Sequence, residues 1–239
     1  VFTVAVDSII SRSVVMDLCA RFLALGAPTR LRLRYETLSG TLAALTSGQA
    51  DLALGVVPVP GMGSDIKHNV MGVIPFVYAV AAHHPLAQAP EPLTDAVLQQ
   101  HRAVAVADSI SRGAGLTIGL QGGQDVFTVP DMPSKLEAQI RGLGGGFLPQ
   151  SLAQPYINNG LLVAKKVHEP RNSTCHCAWR ESSKTPAGQA LRWWQAQLEH
   201  SATREALLRP VHLVHVGSTP SGITHPGSLQ AHFSDKVNP

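Results

Sequence analysis

The chain contains no run of about eighteen apolar residues, so nothing in it has the length and hydropathy of a membrane-spanning helix. Aromatic residues make up 5% and charged residues 15%, against 44% hydrophobic, a balance that supports a packed core and argues against disorder. Cysteine is scarce. Three thiols, an odd number, do not suggest a disulfide scaffold, and a reduced cytoplasmic protein is expected. No basic segment followed by an apolar one of signal-peptide type opens the sequence, although a processed exported protein would look the same. GxSxG, HExxH and P-loop patterns are missing, as is any matched acid, base or nucleophile, so no catalytic residues are expected. Neither a recognition-helix pattern nor a zinc-finger spacing is present, and nothing here reads DNA directly.

The net charge of +3 is scattered. Its densest cluster, Arg30, Arg32 and Arg34, alternates with Leu31, Leu33 and Tyr35, which is a half-buried strand with one wet basic face. Cys19 falls on the apolar side of a helix as a buried thiol. Cys175-His176-Cys177 reads as strand, with both thiols on one face and the histidine opposite. No second ligand pair at metal spacing accompanies it, so no metal and no cofactor are expected.

The most informative stretch is Leu38 to Gly55, LSGTLAALTSGQADLALG. It predicts a Ser-Gly-Thr turn, a short helix over 42–47 capped by Thr41, a stop at Gly48 and a buried strand over 51–55. Before it, 2–7 reads as a strand, 8–11 as a polar loop and 12–25 as a helix. On that helix Val14, Val15, Leu18, Cys19, Phe22 and Leu25 make a core stripe. Met16, Ala20 and Leu23 form a second stripe that needs a second cover, either the same domain or another subunit.

Strands and helices go on alternating: strands near 72–82, 103–107, 125–129, 161–167 and 174–180, helices near 94–100, 131–143, 151–157 and 185–200. Pro75 marks an edge or a crossing. Such alternation implies mostly parallel sheets covered by helices. Two clusters emerge, 1–75 plus 180–200 and 76–179, joined by strands at about 75–80 and 175–180. Residues 201–239, with four prolines, three glycines and four histidines, form an atypical extension in which only Val211 to Val216 suggests a strand; His212 and His215 are a lone pair without a carboxylate.

Several of these segments, in order, resemble the effector-binding domain of LysR-type transcriptional regulators. They are Val4–Ser8, Gly40-Thr41 with Gly48 and Ala50-Asp51-Leu52-Ala53, and His84-Pro85-Leu86-Ala87. Then follow Gly142-Leu-Gly-Gly-Gly-Phe-Leu-Pro149, Gly160-Leu-Leu-Val and Ala178-Trp-Arg180. The resemblance runs from residue 1 to about 200. It implies an α/β fold, bilobed and periplasmic-binding-protein-like (type 2), with two Rossmann-like lobes joined by two crossing strands. It also implies a small-molecule effector held between the lobes, a homodimer or tetramer, and DNA contact only through a winged helix-turn-helix absent from this sequence. The other reading of the same fold is a periplasmic substrate-binding protein of a transporter.

Ligands of such folds sit beyond the carboxyl ends of the strands. The loops there supply Ser8, Ile9, Ser39, Thr41, Asp108, Ser109, Pro130 and Met132, with Phe147 as apolar wall. Ser8 and Thr41 carry over from the family by position. Arg12 and Arg112 are only nearby, and the expected ligand is a small organic acid with an aromatic or apolar body.

Overall fold

The computed structural model describes residues 1–59, 62–110, 120–168, 171–181 and 188–209. Strand β1, Phe2–Asp7, is buried at every position because it has parallel neighbours on both edges: β2, Leu31–Glu36, and β3, Leu52–Val56. Its alternating side chains separate two packing layers. Phe2, Val4 and Val6 enter one core with Val15, Leu18, Cys19 and Phe22 of helix α1, Arg12–Leu23. Ala5 enters the other with Ala44, Ala50, Ala53 and Ala178, side chains small enough for helix α2, Gly40–Thr46, to lie close to the sheet. Gly48 ends α2 at φ +73, the left-handed conformation expected of it.

Strand β4, Ile66–Ala81, is the element that makes the molecule bilobed. Its first part pairs antiparallel with β9, Arg171–Arg180, and β9 pairs in turn with β3. Its second part pairs with β7, Gly146–Pro149, and β8, Leu162–Lys165, in the other lobe. Pro75 stands opposite Asn172, one residue before β7 joins, so the proline marks the crossing as its sequence position implied. The second lobe adds the parallel pair β5, Ala103–Val106, and β6, Val126–Val129. Its α-helices among the described residues are α3, Asp95–Gln99, α4, Met132–Ile140, and α5, Gln150–Asn158. Met132, Leu136, Leu148, Leu152 and Leu162 form its main core on one face of the sheet, and Tyr78, Val80, Leu86, Leu93 and Leu98 a second on the other.

Helix α6, Gln189–Glu199, brings Leu191, the fully buried Trp194 and Leu198 back to the first core. Beyond it the structure adds an element that pattern reading did not assign. Residues 201–207 form helix α7, Ser201–Leu207, whose Leu207 is fully buried in that same core. The Leu207 carbonyl accepts the Ser11 N–H at 2.8 Å, and the Arg204 guanidinium donates to Leu198 O at 2.8 Å and Glu199 O at 2.7 Å, closing the end of α6. At the β4 bulge a Cβ on Gly72 would meet Leu208 Cδ1 at 2.7 Å. The proposed strand at Val211–Val216 and the histidines 212 and 215 lie outside the described residues. On β9 Cys175 and Cys177 are buried while His176 faces outward, its Nδ1 3.1 Å from His68 Nδ1.

Candidate functional site

Four loops leave the carboxyl ends of parallel strands β1, β2, β5 and β6 and meet in the crevice between the lobes, where α/β folds place their ligands. Ser8 follows β1, and its hydroxyl accepts the Met132 N–H at 3.3 Å. Ile9 packs against the main cores of both lobes and forms apolar floor. Asp131 caps α4 through the Ser134 N–H at 2.9 Å and faces Arg12 at 3.7 Å, so the first turns of α1 and α4 are tied across the crevice. The Arg12 guanidinium also lies 4.6 Å from the centre of the Tyr35 ring.

A second set of contacts closes the opposite side. The Thr37 hydroxyl donates to Ala107 O at 2.5 Å, and the Thr37 N–H donates to Ser109 Oγ at 2.7 Å. Beside them the Ser39 hydroxyl donates to Asp108 Oδ2 at 2.5 Å. The chain makes this approach because Leu38 adopts φ +53, a left-handed conformation uncommon for a large side chain. A residue held there costs on the order of 1 kcal/mol and persists only where its surroundings fix it. Gly40 is required for a different reason: a Cβ on it would stand 2.5 Å from Ser109 Cβ and 2.9 Å from Glu36 Oε2.

The crevice is rich in carboxylates. Asp7, at the end of β1, is 4% exposed, and burial raises its carboxyl from the ordinary 3.8 to about 7; the Ile9 and Leu38 N–H groups oppose the rise, and the Asp108 charge adds to it. Its Oδ1 accepts the Ile9 N–H at 2.9 Å. Glu36 is paired with Arg34 at 2.8 Å. Among the described residues no group of three or more histidine, cysteine, aspartate or glutamate side chains is placed to hold a metal.

The structure thus brings together Ser8, Ile9, Ser39, Asp108, Ser109 and the exposed Pro130, with Met132 contributing its backbone N–H while its side chain is buried. Two residues depart from their expected roles of helix cap and apolar wall. Thr41 is not the cap: α2 starts earlier, with Ser39 at the cap and Gly40 first in the helix. Thr41 is therefore fully buried, and its hydroxyl lacks a partner among the described residues. Phe147 is not crevice wall, because strand alternation sends Leu148 into the main core of its lobe and Phe147 to the other face. There it meets Tyr78 edge-on at 5.3 Å and lies under the Arg171 guanidinium at 4.6 Å. Arg112 lies outside the described residues. Thr37 and Asp7 were not legible as site residues: one reads as a strand end, the other as part of an alternating strand.

Two α/β lobes crossed by two strands, with a polar crevice at their strand ends, define a type 2 periplasmic-binding-protein-like domain. The family model "LysR substrate binding domain" matches residues 1–202, and this chain belongs to the LysR family of transcriptional regulators, as their effector-binding domain. It is 35% identical over 195 residues to the uncharacterized HTH-type transcriptional regulator YeeY of Escherichia coli K12, covering 82% of this chain and 62% of that protein. With the HTH-type transcriptional regulator PunR of the same strain it shares 28% over 205 residues, covering 84% and 64%. The chain therefore spans somewhat less than two thirds of these relatives. In fold it resembles the regulatory domain of the LysR-family regulator MetR from N. meningitidis, with TM-score 0.60 and 15% identity over 86% of this chain and 92% of that one. It also resembles full-length LysG from Corynebacterium glutamicum with bound effector Arg, with TM-score 0.60 and 19% identity over 87% and 69%.

Proposed function

We propose that this domain senses a small organic acid in the crevice between its lobes and so controls DNA binding by a longer cytoplasmic regulator carrying a winged helix-turn-helix. The observation that carries this reading is the pair of closures across the crevice, Ser8 to Met132 on one side and Thr37 and Ser39 to Ala107, Asp108 and Ser109 on the other. Hydroxyls and N–H groups that bind one another across a crevice are the groups that exchange partners when a ligand enters. A ligand that binds one arrangement better than the other shifts the population between them. In this reading residues 1–75 with 180–208 move as one body and 76–179 as the other, and the regulator assembles as a homodimer or tetramer. The transporter reading loses ground beside relatives named as transcriptional regulators.

Ser8, Ser39 and Arg12 would receive the carboxylate of the acid, and Ile9 its apolar body. Asp7 and Asp108 favour a second reading, in which the effector also carries a protonated nitrogen, as the arginine of LysG does. Calorimetry against three panels, aromatic monocarboxylates, amines and amino acids, tests both. Tight binding confined to monocarboxylates supports the first reading, and binding confined to amines or amino acids the second. Binding to any panel that survives unchanged in both Ser39→Ala and Ser8→Ala would remove the crevice as the site.

A further inference from the structure

Strand register separates the parts of the Cys175-His176-Cys177 segment. Alternation along β9 sends both thiols into the first core, where Cys175 and Cys177 are buried among its apolar residues. His176 takes the other face, half-buried, opposite Val56 of β3 and Val70 of β4. His68 of β4 stands opposite Ala178 and is therefore the diagonal neighbour of His176 on that face. Two imidazoles 108 residues apart in the chain thus meet edge-on, with ring centres 5.0 Å apart. Their Nδ1 atoms are 3.1 Å from each other. Two nitrogen lone pairs do not face one another at that distance, so a cation lies between them. In the neutral pair it is the proton that one Nδ1 donates to the other.

A proton is not the only cation that fits. Two nitrogens about 2.0–2.1 Å from one metal ion stand about 2.9 Å apart at a right angle and about 3.4 Å apart at the tetrahedral angle. The observed 3.1 Å falls between these values. Burial and the neighbouring His68 charge lower the His176 pKa, which favours the neutral ring that a metal requires. His68 is exposed, so an ion can enter from solvent and keep water in its remaining positions. We propose that His68 and His176 form a binding site for a divalent late transition-metal ion, held by both Nδ1 atoms. Imidazole selects zinc, nickel and copper over magnesium, whose preferred donors are oxygens. As the ion enters, the donor ring transfers its proton from Nδ1 to Nε2, so both rings stay neutral and both Nδ1 lone pairs face the metal. The ion would then join β4 to β9, the strands that cross between the lobes, on the first-lobe side of Pro75.

Zinc is located directly by its anomalous scattering. Crystals of this chain soaked in zinc should show an anomalous peak about 2.0–2.1 Å from each Nδ1. In solution, with zinc tenfold above half-saturation, Tm should exceed its value in EDTA by about 3–6 °C. Nickel should act in the same way and magnesium should have no such effect. His68→Ala removes one ligand at an exposed position, so the variant should fold as wild type does and lose the zinc-dependent rise. His176→Gln should lose it too, each variant being compared with its own Tm in EDTA. An equal zinc-dependent rise in wild type and His68→Ala, or zinc bound in the crystal only at other histidines, would overturn the proposal.

Discussion

The Ser39 hydroxyl in the first lobe donates to the Asp108 carboxylate in the second at 2.5 Å, and the residues flanking this bond, Thr37 and Ser109, exchange hydrogen bonds of their own. Such a cluster closes only if the backbones come very near, and Gly40 is what permits it. A methyl at Gly40 has Ser109 Cβ 2.5 Å away and cannot be accommodated without moving that loop.

Gly40→Ala should therefore hold the lobes apart. Small-angle scattering should report a larger radius of gyration, and stability should fall by about 1–3 kcal/mol, the usual cost of overpacking. Adding Ser109→Gly removes the obstructing side chain and should restore the wild-type dimensions. A Gly40→Ala protein with unchanged dimensions would show that this contact does not set the closure.

Asp7 makes stability fall as pH rises. Its folded pKa of about 7 lies above the ordinary 3.8, so between those values the folded state holds a proton that the unfolded chain has lost. The stabilisation is fully present below pH 3.8, declines through this window and is gone above about 7. The difference is at most about 4 kcal/mol at 1.36 kcal/mol per unit. Asp7→Asn keeps the oxygen that accepts the Ile9 N–H and removes the charge. Chemical denaturation should find the variant more stable than wild type at pH 8, with the difference shrinking toward pH 5. Equal stability of the two at pH 8 would contradict the buried charge.

The element types and the crossing at Pro75 were legible because hydrophobic period and turn residues report what each segment must bury. Ser8, Ser39 and Asp108 were legible because strand ends in this architecture have one destination. Thr41 was misassigned because Thr and Ser two residues apart offer the same capping chemistry, and only the turn at Leu38 decides which one begins the helix. Phe147 was misplaced because a glycine-rich approach hides which face of a short strand points inward. Helix α7 went unseen because seven residues carry too few apolar positions to show a period; its evidence is the buried contact of Leu207, which only packing reveals.

Thr41→Val turns the first of these corrections into a measurement. A cap lost would cost about 1 kcal/mol. A buried hydroxyl without a partner replaced by an isosteric methyl should instead leave stability unchanged or raise it by up to about 1 kcal/mol. Urea denaturation of the single variant distinguishes the two signs.

Leu207 offers a parallel test of α7. The residue is fully buried against the first core, beyond the point where the family model ends at residue 202. Leu207→Ala should cost about 2–5 kcal/mol. A chain ending at residue 200 should also lose the Arg204 contacts that close α6. A loss below about 0.5 kcal/mol for Leu207→Ala would mean that α7 is a dispensable appendage.

The remaining question is what covers the second stripe of α1. Met16 is 50% and Leu23 60% exposed, seven residues and so two helical turns apart on one side of the helix. On the second lobe Phe127 and Leu143 are likewise exposed, at 41% and 42%, and they border a groove of about 570 Å3 with Val129, Pro133 and Tyr156. A head-to-tail pair would set the stripe of each copy into the groove of the other, so that one two-fold axis buries both surfaces twice. Sedimentation at micromolar concentration should then show a dimer. Because Met16 and Leu23 add little to the core of their own lobe, Met16→Lys with Leu23→Lys should give monomer with Tm nearly unchanged. Phe127→Asp, on the other surface, should do the same. Two surfaces far apart on one chain have no reason to fail together unless each is the partner of the other, so a dimer that survives either change would separate them and leave the stripe without a cover.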